Sequence, residues 1–127
     1  RPGSPVNTPP GTVAVLGAGS WGTALAVQLA RSEQPVLLWG RDAAALAETG
    51  RQRENVRYLP GVALPPSLQV EPELGRALTG TRDILACVPS RAFRELLVAV
   101  RPWLSPGARL AWATKGFEQH TGLLPHA

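Results

Sequence analysis

The sequence predicts an α/β fold, a doubly wound parallel sheet with helices on both sides, and three observations predict it. Short apolar segments alternate with helix-patterned ones along most of the 127 residues, as parallel strands with right-handed crossovers require. The first apolar segment, Val13-Ala14-Val15-Leu16, runs straight into three glycines spaced G-x-G-x-x-G: Gly17, Gly19 and Gly22. The run Ile84-Leu85-Ala86-Cys87-Val88 is apolar on both faces, as a strand covered by helices above and below should be. With 44% apolar and 17% charged residues, the chain can bury a core and is not expected to be disordered over most of its length.

The elements follow in order. Residues 1–11 hold four prolines and two glycines without apolar periodicity and read as a disordered leader; residues 12–127 read as one domain. Strand one spans about Thr12 to Leu16. Helix one spans about Ser20 to Ser32, with Leu25 and Leu29 on one face beside Ala26 and Ala30, and Ser20 as its N-cap. Pro35 opens strand two, Val36 to Trp39, which Gly40-Arg41-Asp42 ends. Asp42 caps a helical Ala43 to Glu48. A polar stretch, Thr49 to Arg57, and a proline-rich loop to Pro66 lead to a short third strand, Ser67 to Val70. Pro72 stands at the first position of one or two helical turns that reach Leu78. Strand four is Ile84 to Val88, stopped by Pro89-Ser90. The next helix, Ala92 to Val100, carries Phe93, Leu96, Leu97 and Val100 on one face. Strand five covers about Arg109 to Ala113, then Thr114-Lys115-Gly116 and an irregular Phe117 to Ala127. The expected strand order is 3-2-1-4-5, a Rossmann-type winding.

Ligands of such sheets bind outside the carboxyl ends of the strands. Four loops therefore face the site: Gly17–Gly22, Gly40–Asp42, Pro89–Arg91 and Thr114–Gly116. A strand, a glycine turn and a helix together bind the pyrophosphate of a dinucleotide. Gly17 permits the sharp turn out of the strand, Gly19 lets a phosphate approach the backbone, and Gly22 lets the helix pack closely on the strand. The start of the helix offers unpaired N–H groups and the positive end of its dipole. Domains selective for NAD place an acidic residue at the end of strand two, where it bonds the ribose 2′-hydroxyl. Arg41 stands there instead, a guanidinium that can hold a 2′-phosphate bidentately, so NADP is favoured over NAD. Lys115 is the only lysine in the chain, beside twelve arginines; just past strand five it can bind a phosphate or polarise a carbonyl oxygen.

Other classes lose ground. The formal charge of +4 suits anionic ligands, but no basic cluster with exposed aromatics marks a nucleic-acid surface. No apolar stretch is long enough to span a membrane, and residues 1–10 lack the apolar core of a signal peptide. The lone Cys87 cannot form an internal disulfide and reads as a small buried strand residue rather than a nucleophile. No residue is assigned to a metal. Methionine is absent, position 1 included, so the chain is expected to begin after its native start or to lack it for some other reason.

On these residues the chain resembles the N-terminal part of the bacterial type of NAD(P)-dependent glycerol-3-phosphate dehydrogenase. The segments that carry the resemblance run from Val15 through the glycine turn to Ala26, then Leu38-Trp39-Gly40-Arg41-Asp42, Asn55 with Tyr58-Leu59-Pro60-Gly61-Val62, Val88-Pro89-Ser90, and Trp112-Ala113-Thr114-Lys115-Gly116-Phe117-Glu118. They keep the family's order and spacing over about Thr12 to Pro125. The resemblance implies reversible reduction of dihydroxyacetone phosphate to sn-glycerol 3-phosphate, for glycerophospholipid synthesis; with a lone cysteine and no signal peptide visible, a cytoplasmic location is expected. It implies that Ser20, Trp21, Arg41 and Lys115 contact the nicotinamide cofactor and that Lys115 also contacts the substrate; Phe93 matches an aromatic near the cofactor. The family's proton-donating lysine belongs to a second, helical domain, so no catalytic residue is assigned within the chain. Residues 12–127 are then an incomplete cofactor domain, expected to be inactive alone, and a homodimer is carried as an expectation for the full-length protein. Two alternatives stand beside this reading: a non-catalytic nucleotide-binding module, and a related dehydrogenase acting on a 3-hydroxy acid or nucleotide sugar, against which Thr114-Lys115-Gly116 argues.

Overall fold

In the computed structural model, residues 11–113 are described. The expected leader, except for Gly11, and the Thr114–Gly116 loop with Lys115 lie outside the described residues. Five parallel strands form one sheet: β1 (Val13–Leu16), β2 (Val36–Trp39), β3 (Leu68–Val70), β4 (Asp83–Ala86) and β5 (Arg109–Trp112). Their order is β3-β2-β1-β4-β5, as expected. Register aligns Leu16 with Trp39 and with Ala86, and Ala86 with Trp112. Four strands therefore stop level with one another, and the described loops after β1, β2 and β4 meet at this carboxyl edge.

Successive side chains of a strand point to opposite faces, which divides the core in two. Val15, Val36 and Leu38 join Ala26, Val27 and Ala30 of helix α1 (Ser20–Arg31) and Leu46 of α2 (Ala43–Gln52) on one side. Ala14, Leu16, Ile84 and Ala86 join Leu78 of α3 (Leu74–Leu78) and Leu96 and Val100 of α4 (Ser90–Val100) on the other. Ala14, Val15 and Leu16 of the central strand are wholly buried, so β1 is covered on both faces. Leu16, Leu38, Leu68 and Leu78 are among the largest buried side chains, each worth about 2–5 kcal/mol against truncation to alanine.

Several boundaries differ from expectation for local reasons. The N-cap of α1 is Gly19, not Ser20: Gly19 is extended and its carbonyl accepts from Thr23 N at 2.9 Å, so Ser20 is already helical. α3 begins at Leu74 with Glu73 as its N-cap, and Pro72 precedes the helix, its carbonyl accepting from the Trp39 indole at 3.1 Å. β4 ends at Ala86 because its neighbour β1 turns away at Gly17; Cys87 N makes a last bond to Leu16 O at 2.8 Å. α2 runs on to Gln52 because Thr49 is buried and bonds back to Ala45 O, and Arg53 ends it with φ of 58°. Asp42 caps α2 as expected, accepting from Ala45 N at 3.0 Å.

Among the glycines of the described residues, Gly22 leaves the least room for a Cβ, and it joins α1 to the exit of β1. A Cβ on Gly22 would lie 1.7 Å from Gly17 O and 3.3 Å from the Cys87 Cβ. The obstacle is backbone, which cannot swing aside as a side chain can. Gly22→Ala is therefore expected to lower stability by more than about 3 kcal/mol or to prevent folding, as measured by urea unfolding; a loss under about 1 kcal/mol would show that α1 can lift off the strand.

Candidate functional site at the carboxyl edge of the sheet

The turn between β1 and α1 is shaped by three glycines with three different surroundings. Gly17 has φ of +122°, and a Cβ there would stand 2.3 Å from Cys87 O. Its N–H donates to Trp39 O at 2.7 Å, so the turn is fastened to the end of β2 as it leaves the sheet. Gly22 is the crossing described above. Gly19, with an ordinary φ of −78°, has nothing within 4 Å of the place a Cβ would occupy. No side chain caps this end of α1, where the first amides have no partner inside the helix. The turn thus holds an open, positively polarised position at a helix start.

That position opens into a cleft of about 830 Å³, within the size range of small-molecule sites. Gly17, Ala18 and Gly19 form its floor; Gly40, Arg41 and Asp42 come from the end of β2; Asn55 to Tyr58 come from the loop after α2; Val88, Pro89, Arg91 and Glu95 come from the β4–α4 side. Arg41 Nη2 donates to Glu95 Oε1 at 2.7 Å, with both side chains about 70% exposed. Asp42 is engaged in capping α2. The room above Gly19, together with a guanidinium at the mouth, fits a dinucleotide with its diphosphate at the start of α1.

The residues singled out from the sequence separate. Gly17, Gly19 and Arg41 line the cleft. Ser20 is exposed at the start of α1. Trp21 is half-buried against the α1 side of the core, and its Nε1 is a buried nitrogen without a hydrogen-bond partner among the described residues. Phe93 stacks on Trp112 with centroids 4.5 Å apart and planes 11° from parallel, a packing role at the end of β5. Cys87 lies just after β4 beneath the turn; burial pushes its thiol up to about 12, so it stays protonated at neutral pH, as its expected structural role requires.

Asn55, to which the sequence reading gives no role of its own, organises the site. It is 4% exposed. Its Nδ2 donates to Ala18 O at 3.0 Å, in the glycine turn, and to Thr23 Oγ1 at 2.9 Å, in α1. Its Oδ1 accepts from Tyr58 N at 3.2 Å. One side chain thereby joins the turn, the helix and the loop that walls the cleft. The loop is itself closed by a Glu54–Ala63 bridge, by Leu64 N to Arg53 O, and by Arg53 Nη2 bonds to Pro65 O and Leu68 O at 2.8 Å.

A glycine turn leading into a helix, beneath a cleft at the carboxyl edge of a 3-2-1-4-5 sheet, places the chain in the Rossmann class of nucleotide-binding folds. Within that class it belongs to the family described as NAD-dependent glycerol-3-phosphate dehydrogenase N-terminus, which its residues 12–127 match. A glycerol-3-phosphate dehydrogenase (NAD(P)+) of Edwardsiella ictaluri is 50% identical over 119 residues, which are 94% of this chain and 35% of that protein. One from Xanthomonas campestris pv. campestris is 50% identical over 121 residues, 95% of this chain and 36% of the relative. The chain thus spans about a third of the length of the curated relatives it matches. The crystal structure of glycerol-3-phosphate dehydrogenase from Coxiella burnetii superposes with a TM-score of 0.79 at 43% identity, covering 82% of this chain and 32% of that one. The yeast glycerol-3-phosphate dehydrogenase structure, at 23% identity and a TM-score of 0.74 over 84% of this chain and 34% of that one, shares the fold. No helix among the described residues is long and apolar enough to cross a membrane.

Asn55→Asp keeps the shape but removes the donor, setting a carboxylate against Ala18 O and Thr23 Oγ1. It is expected to cost about 2–3 kcal/mol, read from urea unfolding; an unchanged midpoint would show that the turn holds its form without this side chain.

Proposed function

We propose that this chain holds the nicotinamide dinucleotide of a glycerol-3-phosphate dehydrogenase, which interconverts dihydroxyacetone phosphate and sn-glycerol 3-phosphate. The observation that carries the reading is the open position at Gly19, set at the start of α1 and continuous with the cleft; family membership supplies the reaction class. In this reading the diphosphate rests on the amides that follow Gly19, where helix polarity and the missing Cβ favour an anion. Gly17 and Gly22 act beneath it by letting strand and helix meet. Arg41 faces the adenosine ribose and pairs with a 2′-phosphate, which favours NADP over NAD. Ser20 and Trp21 flank the turn toward the cofactor. Lys115, beyond the described residues, binds the cofactor and the substrate phosphate.

When bound, the dihydronicotinamide supplies the hydride. The chain's own part is to position it, by an edge of strands that end level and a turn fixed by backbone contacts. Reduction of a ketone also needs a general acid at the carbonyl oxygen, and we assign that proton to a residue outside this chain. The cytoplasm is the compartment we assign, in keeping with a sole, buried, unpaired thiol.

Fluorescence titration with NADPH and NADH tests the reading. Gly19→Ala is expected to leave the melting temperature within about 2 °C, since its Cβ meets no atom, yet to weaken both cofactors at least tenfold by filling the phosphate position. Arg41→Glu is expected to weaken NADPH about tenfold or more, the worth of a charge-assisted pair, and NADH less than threefold. Unchanged affinity in Gly19→Ala would remove the diphosphate from the turn; equal losses in Arg41→Glu would remove the 2′-phosphate from Arg41.

A further inference from the structure

We infer that Glu95 is a second specificity-determining residue of the cleft, a carboxylate that competes with a 2′-phosphate for Arg41 and so moderates the preference for NADP. The inference rests on the reading that the cleft takes a nicotinamide dinucleotide. Arg41 leaves the carboxyl end of β2, and Glu95 belongs to α4, which follows β4. These two strands flank β1 on either side, so the 2.7 Å pair bridges the mouth of the cleft above the glycine turn.

Glu95 holds Arg41 through Nη2 alone, and a phosphate that binds the guanidinium bidentately competes for that edge or takes the donors beside it. The phosphate must displace the carboxylate or share the guanidinium with it, and in either case the Glu95 carboxylate, which lines the same cleft, opposes the charge of the phosphate. Exposed pairs of this kind are individually weak, so the bridge opens readily. Glu95 is therefore a bias and not a barrier. An unphosphorylated ribose brings no charge to the mouth and leaves the pair intact. The end of β2, where NAD-selective domains carry an acid, here carries Arg41; Glu95 brings a carboxylate to that mouth from the opposite wall.

The test is the affinity of NADPH and NADH for the protein, wild type against Glu95→Gln and Glu95→Lys, at low salt and at 1 M salt. Glu95→Gln is expected to tighten NADPH about fourfold to sixteenfold, the effect of one carboxylate charge about 5 Å in water from a phosphate that carries one to two charges, with NADH changed less than twofold. Glu95→Lys should tighten NADPH further, and both gains should shrink at 1 M salt, where the screening length is about 3 Å. Both variants keep the fold, since Glu95 is largely exposed, and matching melting curves establish this. Unchanged or weaker NADPH binding, or equal shifts for the two cofactors, would overturn the role of Glu95 and leave the dinucleotide reading standing. A wild-type protein that binds neither cofactor would overturn both.

Discussion

The structure depends on one backbone-to-backbone crossing. Gly22 of α1 rides over the carbonyl of Gly17 so closely that a single added carbon has no room. The contact sets the height of α1 above the sheet and aims its first amides across the carboxyl edge. It also fixes the path of Gly17, whose left-handed φ carries the chain beneath the Cys87 carbonyl and away from β4. A side chain at either position would have to be accommodated by raising the helix, and a raised helix points its dipole elsewhere.

Around that crossing the domain is assembled from two apolar clusters, one on each face of the sheet. They hold the sheet rigid between α1 and α2 on one side and α3 and α4 on the other. Level strand ends bring residues far apart in sequence, Gly19, Arg41 and Glu95, to one rim. Beneath the glycine turn lie a protonated thiol and aliphatic side chains.

The sheet order, the glycine turn and the Asp42 cap were legible because each is a local pattern: alternation of apolar runs, a fixed glycine spacing, an acid before a helical segment. Helix boundaries were less so. Ser20 resembles an N-cap, yet the extended conformation of Gly19 takes that place, which residue type alone does not reveal. Pro72 resembles a first helical residue, but the Trp39 indole, distant in sequence, engages its carbonyl ahead of the helix. Asn55 and Glu95 were hidden for the same reason. An asparagine in a polar stretch and a glutamate on a helix surface look ordinary until tertiary structure supplies Ala18, Thr23 and Arg41 as partners. Phe93 carried two readings in the sequence, and its stacking on Trp112 gives it a packing role.

The three bonds of Asn55 have a dynamic consequence. Turn, helix start and loop share one buried amide, so none of them can loosen without stripping partners from the other two. Residues 17–23 and 53–64 should then open and close as a single cooperative unit, exchanging their amide hydrogens together rather than fraying separately. Much of the order that a ligand would otherwise have to impose on this rim is already present in the folded chain.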